Sequence, residues 1–349
     1  MKKIISLLLT ATMVLSLAAC GNNGSQDSGS NTSDPGGESG GVKYSQGVTD
    51  TTVLIANSAA TSGSYAPVGV PFNAGIQAYL DMVNAEGGID GRTIEFLHTD
   101  DEFDPVKGKA ALQNFVEDEK VFAIVGHFGT PVVGATIEDL KSYGIPAVYF
   151  ATGIGQLYAQ NATTNEEGYN IFPVQPIYTT EGQIMVARGV GTFDATKIGI
   201  IYTNDDAGKD MLTGAEEKCK ELGIDYVAEQ VAAGSADVSA AVTSIKNSGA
   251  DFIICAAIQA TMPTIVKELA AQGNTAPVIT TYVNVSSAIP PLVADDIAGK
   301  FDVYGNGWVA YDDEEALALY QEWVGKIDES YSMNAYAQTG WIAAHFFCE

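Results

Sequence analysis

From Thr52 onward, short runs of apolar and β-branched residues alternate with longer amphipathic stretches, and this alternation narrows the fold more than any other feature. Thr52-Val53-Leu54-Ile55-Ala56 is followed by a helical pattern from Phe72 to Glu86. Then come an extended run, Thr93 to His98, a helical pattern, Pro105 to Glu119, and another run, Val121 to Val125. Continuous apolar strands belong in a sheet covered on both faces, and the β-α-β order makes that sheet parallel. The 72–86 pattern places Phe72, Ile76, Tyr79, Leu80 and Val83 on one face and stops at Gly87-Gly88, as a glycine-capped helix does. Asp104-Pro105 reads as a helix start, with Asp104 as N-cap behind the acidic pair Asp100-Asp101.

The alternation continues through a helix, Pro131 to Tyr143, and a strand, Pro146 to Phe150. It pauses over Gly155 to Tyr178, an irregular stretch with Pro173 and Pro176 that suits a crossover between lobes. A second series follows, with helices at 180–190, 208–222, 237–247 and 262–271. Its strands are Lys197–Tyr202, 225–230, Asp251–Cys255 and 277–281. The fold class is therefore α/β, with two lobes of parallel sheet flanked by helices. The expected boundaries are 48–176 for the first lobe and 177–306 for the second. An extended run at 301–310 and helices at 313–329 and 334–348 suggest that 307–349 returns to the first lobe. The last helical pattern stops at Ala343-Ala344-His345-Phe346-Phe347-Cys348-Glu349 with no cap, which reads as a truncated sequence.

Ahead of the folded body, Lys2 and Lys3 precede an apolar run from Ile4 to Leu17, closed by Leu17-Ala18-Ala19-Cys20. A basic start, a short apolar core and small residues before a cysteine read as a bacterial lipoprotein signal covering 1–19. The run falls short of the roughly 20 apolar residues of a membrane span. Cys20 is thus the expected lipid attachment point, on the extracytoplasmic face of the cell membrane. Residues 20–47 form the expected tether, since 21–41 are almost wholly Gly, Ser, Asn, Asp, Gln and Glu and have too little apolar surface to bury.

Charge removes other classes. Without Lys2 and Lys3, 15 basic residues face 43 acidic ones, and only Arg92 and Arg188 are arginines. Phosphate neutralisation needs a positive patch, so nucleic acid is not an expected partner, and membrane contact is expected through the lipid alone. Cys219, Cys255 and Cys348 lack the spacing of a metal site or a disulfide framework, and His98, His127 and His345 lie far apart. No cofactor and no metal are expected. Cys255 closes Phe252-Ile253-Ile254 and reads as a small core residue.

Ligands of open parallel sheets enter at the carboxyl ends of the strands. Those loops are Ser58 to Tyr65, Gly126 to Pro131 and Ala151 to Gly153 in the first lobe. Gly129 and Thr130 open a helix whose first N–H groups and hydroxyl suit a carboxylate, or Thr130 simply caps that helix.

In order and spacing, several segments resemble the branched-chain amino acid-binding proteins of bacterial ABC importers, of the type I periplasmic binding fold. They are Ser62-Gly63, Asn84-Ala85-Glu86-Gly87-Gly88-Ile89-Asp90-Gly91-Arg92, Asp100-Asp101-Glu102-Phe103-Asp104-Pro105 and Val125-Gly126-His127. The resemblance spans residues 50 to 349. It implies a monomeric, hinged receptor, turning near 174–178 and 305–310, that hands a small amino-acid-like or carboxylate ligand to membrane permease subunits. By resemblance, ligand contacts fall on Ser62, Gly129, Thr130, Ala151 (by its carbonyl), Thr152, Gly153, Tyr178, Gln259 and Tyr282. The family's amine-binding acids align with Tyr178 and Tyr282, so the expected ligand is an acid without a paired ammonium group. The two cysteines of a family disulfide align with Phe103 and Gly129.

Two other readings use the same residues. One is a ligand-sensing module for a signalling partner. The other is an exported hydrolase, for which the sequence offers only His127 near Thr130, with neither a G-x-S-x-G elbow nor an H-E-x-x-H helix. The expectation is no enzyme.

Overall fold

The computed structural model describes residues 44–349 except 160, 166, 167 and 311. The signal segment, Cys20 and most of the tether lie outside the described residues.

The first sheet is built from β1 (Thr52–Ala59), β2 (Thr93–Asp100), β3 (Ala123–Phe128), β4 (Ala147–Ala151) and β7 (Ile171–Phe172), in the order β2-β1-β3-β4-β7. Between β4 and β7 a small antiparallel hairpin pairs β5 (Thr164–Asn165) with β6 (Gly168–Tyr169). The second sheet contains β8 (Lys197–Thr203), β9 (Asp225–Val231), β10 (Phe252–Ala256), β11 (Val278–Thr280) and β12 (Val303–Gly305), in the order β12-β11-β10-β8-β9. Every pairing within the two sheets is parallel. β3 and β10 are buried at every position, which is the reason for their unbroken apolar sequences.

Helices α1 (Ala66–Ala85), α2 (Pro105–Gln113) and α3 (Thr130–Tyr143) connect the first strands. The second series carries α4 (Tyr178–Phe193), α5 (Asp206–Leu222), α6 (Ser239–Ser248), α7 (Met262–Ala271) and α8 (Pro290–Ile297). The chain then ends in α9 (Glu314–Gly325) and α10 (Ala335–Cys348). Asp104 caps α2 as expected, accepting from the Val106 and Lys107 N–H groups.

Several boundaries differ from the sequence reading. α1 begins six residues before Phe72 and keeps Pro71 inside it; a proline breaks the sequence pattern, but tertiary packing holds this turn helical. The irregular stretch supplies the edge strand β7, too short to show a period. α8 was missed because its apolar face is short, and α9 stops at Gly325.

α10 lies against α1, and both join the first lobe's core. Gly75 and Gly340 make this possible: a Cβ at Gly75 would come within 1.8 Å of the Ala337 carbonyl oxygen, and one at Gly340 within 1.8 Å of that of Phe72. Trp341 packs edge-on to Tyr79 at 4.9 Å, and the Tyr79 hydroxyl pairs with His345 Nδ1 at 2.7 Å. Burial of α10 there draws residues after 334 back to the first sheet.

Candidate ligand cleft between the two sheets

The carboxyl ends of both sheets face one cavity. The first lobe contributes Tyr65, Val68, Phe72, Phe103, Phe128, Gly129, Thr130 and Ala151. The other wall comes from Tyr178, Ile258, Gln259, Tyr282 and Val283, with Gln175, Trp308, Tyr336 and Thr339 around them. Strand ends place most of these: β3 runs into Gly129, β4 ends at Ala151, β10 leads to Gln259 and β11 to Tyr282. The cavity offers about 40 Å³ to the centre of a water-sized sphere. On that measure a water takes roughly 10–15 Å³, so a larger ligand requires the aromatic rings to part.

The lobes touch across the cleft. The Gly155 N–H donates to Asp210 Oδ2 at 2.7 Å, the Tyr336 hydroxyl donates to the Val283 carbonyl at 2.9 Å, and the Ser287 hydroxyl to that of Met333 at 3.4 Å.

Six of the nine expected contact residues line the cavity: Gly129, Thr130, Ala151, Tyr178, Gln259 and Tyr282. Ser62 does not. It is exposed at the end of β1 and hydrogen-bonds Asp100 instead, because the chain turns outward into a short 3-10 helix there. Thr152 and Gly153 lie behind the wall: the Thr152 hydroxyl pairs with that of Thr130 at 2.8 Å, and the Gly153 carbonyl accepts from the Tyr178 N–H at 2.9 Å. The Ala151 carbonyl, expected to hold ligand, already accepts from the Gly129 N–H at 3.3 Å.

Tyr178 changes the reading of the α3 terminus. Its phenol lies beside the Thr130 and Thr152 hydroxyls and the Gly153 N–H, the place expected for a carboxylate. Burial still raises its pKa, outweighing those polar neighbours. The Tyr178 and Tyr282 rings stack at 5.9 Å, and the Tyr282 hydroxyl donates to the Pro176 carbonyl at 3.0 Å. Gly153 must be a glycine here, since a Cβ would come within 2.2 Å of that same Pro176 oxygen.

The positions aligned with a family disulfide are neighbours. A Cβ at Gly129 would reach within 2.7 Å of the Phe103 ring, which also stacks on Tyr65 at 3.7 Å. At these two positions an aromatic ring lies directly on a glycine. Phe103, Gly129 and Gln259 all have positive φ (65°, 92° and 27°), and for the non-glycines this backbone strain is of a kind that clusters at functional sites.

Catalytic alternatives lose their geometry. His127 Nε2 pairs with the Thr136 hydroxyl at 2.8 Å, and that hydroxyl donates to the Val132 carbonyl, so His127 does not act on Thr130. Burial pushes the His127 imidazole down to about 4 and the Cys255 thiol up to about 12. Among the described residues no group of His, Cys, Asp and Glu could hold a metal ion, and no helix is long and apolar enough to cross a membrane.

Sequence reasoning placed Tyr65 and Phe128 in candidate loops without singling them out, and missed Trp308 and Tyr336. Tyr65, Phe128 and Trp308 are aromatics at or near strand ends, whereas Tyr336 opens α10 and carried no local signal.

Comparison with known proteins agrees with this architecture. The Leu/Ile/Val-binding protein homolog 2 of Brucella abortus (strain 2308) is 24% identical over 287 residues, covering 82% of this chain and 75% of that protein. The branched-chain amino acid transporter substrate binding protein LivJ of Streptococcus pneumoniae, solved with isoleucine, superposes with a TM-score of 0.72. It is 22% identical, over 84% of this chain and 82% of that one. A fatty acid ABC transporter substrate-binding protein from Thermomonospora curvata superposes with a TM-score of 0.69. It is 21% identical, over 88% and 77% of the two chains. The model of the periplasmic binding protein family matches residues 52–349. The chain therefore belongs to the periplasmic binding protein family, and its two-lobed fold is that of a solute-binding receptor rather than of an enzyme.

Proposed function

We propose that this protein is the extracytoplasmic receptor of an ABC importer, held to the membrane by lipid on Cys20, which closes on a small solute and delivers it to a permease. One observation carries the reading: the cavity is walled by strand ends of both sheets, so a ligand there touches both lobes at once. A ligand that bridges two lobes favours the closed arrangement by its differential contacts, and closure becomes the signal a permease reads. The lobes run over 48–176 and 177–306, with 307–349 returning to the first, and the hinge lies in the two crossovers near 174–178 and 305–310. The relatives' named ligands, branched-chain amino acids and fatty acids, share an apolar body, and the cavity wall is rich in aromatic rings.

The test is ligand-dependent closure. A panel of amino acids, organic acids and their amides is screened by thermal shift, and each hit is followed by small-angle X-ray scattering. A raised melting temperature with a smaller radius of gyration supports the receptor. Hits that leave the radius unchanged sink it.

A further inference from the structure

Two polar atoms at the cavity wall, Gln259 Oε1 and Trp308 Nε1, are buried without a hydrogen-bond partner among the described residues. Leaving such atoms unpaired is costly, so each marks a place where a ligand atom is wanted. Gln259 is only 7% exposed, and its amide orientation is determined by its neighbour. The Tyr336 hydroxyl donates its single hydrogen to the Val283 carbonyl, so towards the neighbouring Gln259 it presents only an acceptor. Gln259 therefore turns Nε2 to Tyr336 and leaves Oε1 as a free acceptor.

The residue is also held in place. Its N–H donates to Asn284 Oδ1 at 2.8 Å, and Asn284 in turn donates to the Ala257 carbonyl at 2.8 Å and the Thr280 hydroxyl at 2.7 Å. This network maintains the left-handed backbone at Gln259. Trp308 supplies the complementary atom, a lone N–H donor, from the second crossover, with its ring 5.0 Å from that of Tyr282.

Charge is missing from this wall. None of the described lining residues is Asp, Glu, Lys, Arg or His. The carboxylate that acts on both rings of the pair, Glu181, is engaged by the Thr281 hydroxyl and the Tyr282 N–H. The α3 terminus is taken by the Tyr178 phenol. A ligand carboxylate would find no cation here and a ligand ammonium no free anion, and an unpaired charge in such a site is strongly disfavoured.

Resting on the receptor reading above, we propose that the cleft selects an uncharged ligand: an apolar aromatic or branched body bearing a carboxamide, whose N–H donates to Gln259 Oε1 and whose carbonyl accepts from Trp308 Nε1. A carboxamide presents both functions at neutral pH, whereas a carboxylate has no donor.

The test uses the full chain and two sets of compounds that share a body and differ in head group: hydrocinnamamide, hydrocinnamate and phenylalanine, and isocaproamide, isocaproate and leucine. Calorimetry should show an amide binding at least about tenfold more tightly than its acid and its amino acid, the effect of one well-placed hydrogen bond. Gln259→Met and Trp308→Phe should each weaken the amide about tenfold and erase the selectivity. Trp308→Phe keeps a ring at a half-buried position, so it serves where Gln259→Met fails to fold. Acids or amino acids that bind as tightly as the amides, amides indifferent to both substitutions, or no binding by any of the six would each overturn the uncharged-amide assignment. Scattering separates the two ideas. Closure on leucine but not on an amide overturns the ligand class and leaves the receptor standing, whereas binding without closure overturns the receptor itself.

Discussion

Glu181 offers the sharpest test of how the two crossovers are joined. It sits in the first turn of α4, just past the first crossover, and is only 2% exposed. Its carboxylate accepts from the Thr281 hydroxyl at 2.7 Å, from the Tyr282 N–H at 2.6 Å and from Asn306 Nδ2 at 3.4 Å. Asn306 lies at the second crossover and is held by Arg188 at 2.9 Å. Burial raises the Glu181 pKa from 4.5 to about 7, and the three hydrogen bonds only partly oppose it. Because the folded state binds this proton more tightly than the unfolded chain, stability falls as pH rises from about 4.5 to about 7, by up to about 3 kcal/mol at 1.36 kcal/mol per unit.

His127 acts in the opposite direction. Its folded pKa is lowered from 6.5 to about 4, so the stability of the neutral imidazole is complete above 6.5 and is lost as pH falls towards 4. The Glu181 and His127 slopes largely cancel in the unmodified protein and Asp101 adds a slope of its own, so the parent's pH profile does not isolate Glu181. Glu181→Gln separates them, since the amide keeps the shape and an acceptor but cannot ionise. Urea unfolding followed by tryptophan fluorescence should show the variant gaining on the parent as pH rises, with the gap growing by about 3 kcal/mol between about pH 4 and pH 8. Asp101, raised to about 6 by burial, contributes equally to both chains and drops out of the difference. A gap that stays flat across this range would refute the buried-carboxylate argument.

Tyr178→Phe should clear the phenol from beside the Thr130–Thr152 hydroxyl pair at the start of α3 and raise affinity for hydrocinnamate about tenfold by calorimetry; an unchanged affinity would show that the phenol does not block a carboxylate. Gly340→Ala should force α10 away from α1, lowering stability by about 1–3 kcal/mol in urea unfolding, because the added carbon meets the Phe72 carbonyl; an unaltered midpoint would mean that the contact is slack. Cys20→Ser should abolish labelling by a fatty-acid analogue in cells, and equal label on the variant would refute the lipoprotein signal.

The α/β alternation, the two series of parallel strands and most helix ends were legible in the sequence, because hydrophobic period, glycine stops and the Asp104-Pro105 start are local signals. Loops at strand ends were likewise legible as candidate walls of a cleft, and with the family resemblance they named Thr130, Tyr178, Gln259 and Tyr282, which line the cavity. Short elements were not. β7 has two residues and α8 eight, too few to display a period above the surrounding noise.

What only the tertiary structure decided is which of those loop residues meet, and with what chemistry. Ser62 and Thr130 look alike in sequence, yet a turn of 3-10 helix sends one outward while a β3-to-α3 junction sends the other inward. Tyr178 and Thr130 are far apart along the chain, and nothing local says that the phenol of one occupies the anion position of the other. The return of α10 to the first lobe likewise depends on Gly75 and Gly340 matching carbonyls from another helix. Local pattern determined the elements because their signals lie within a few residues. The site's polarity is a property of side chains brought together from distant segments, so it emerged only once both sheets were packed around the same cavity.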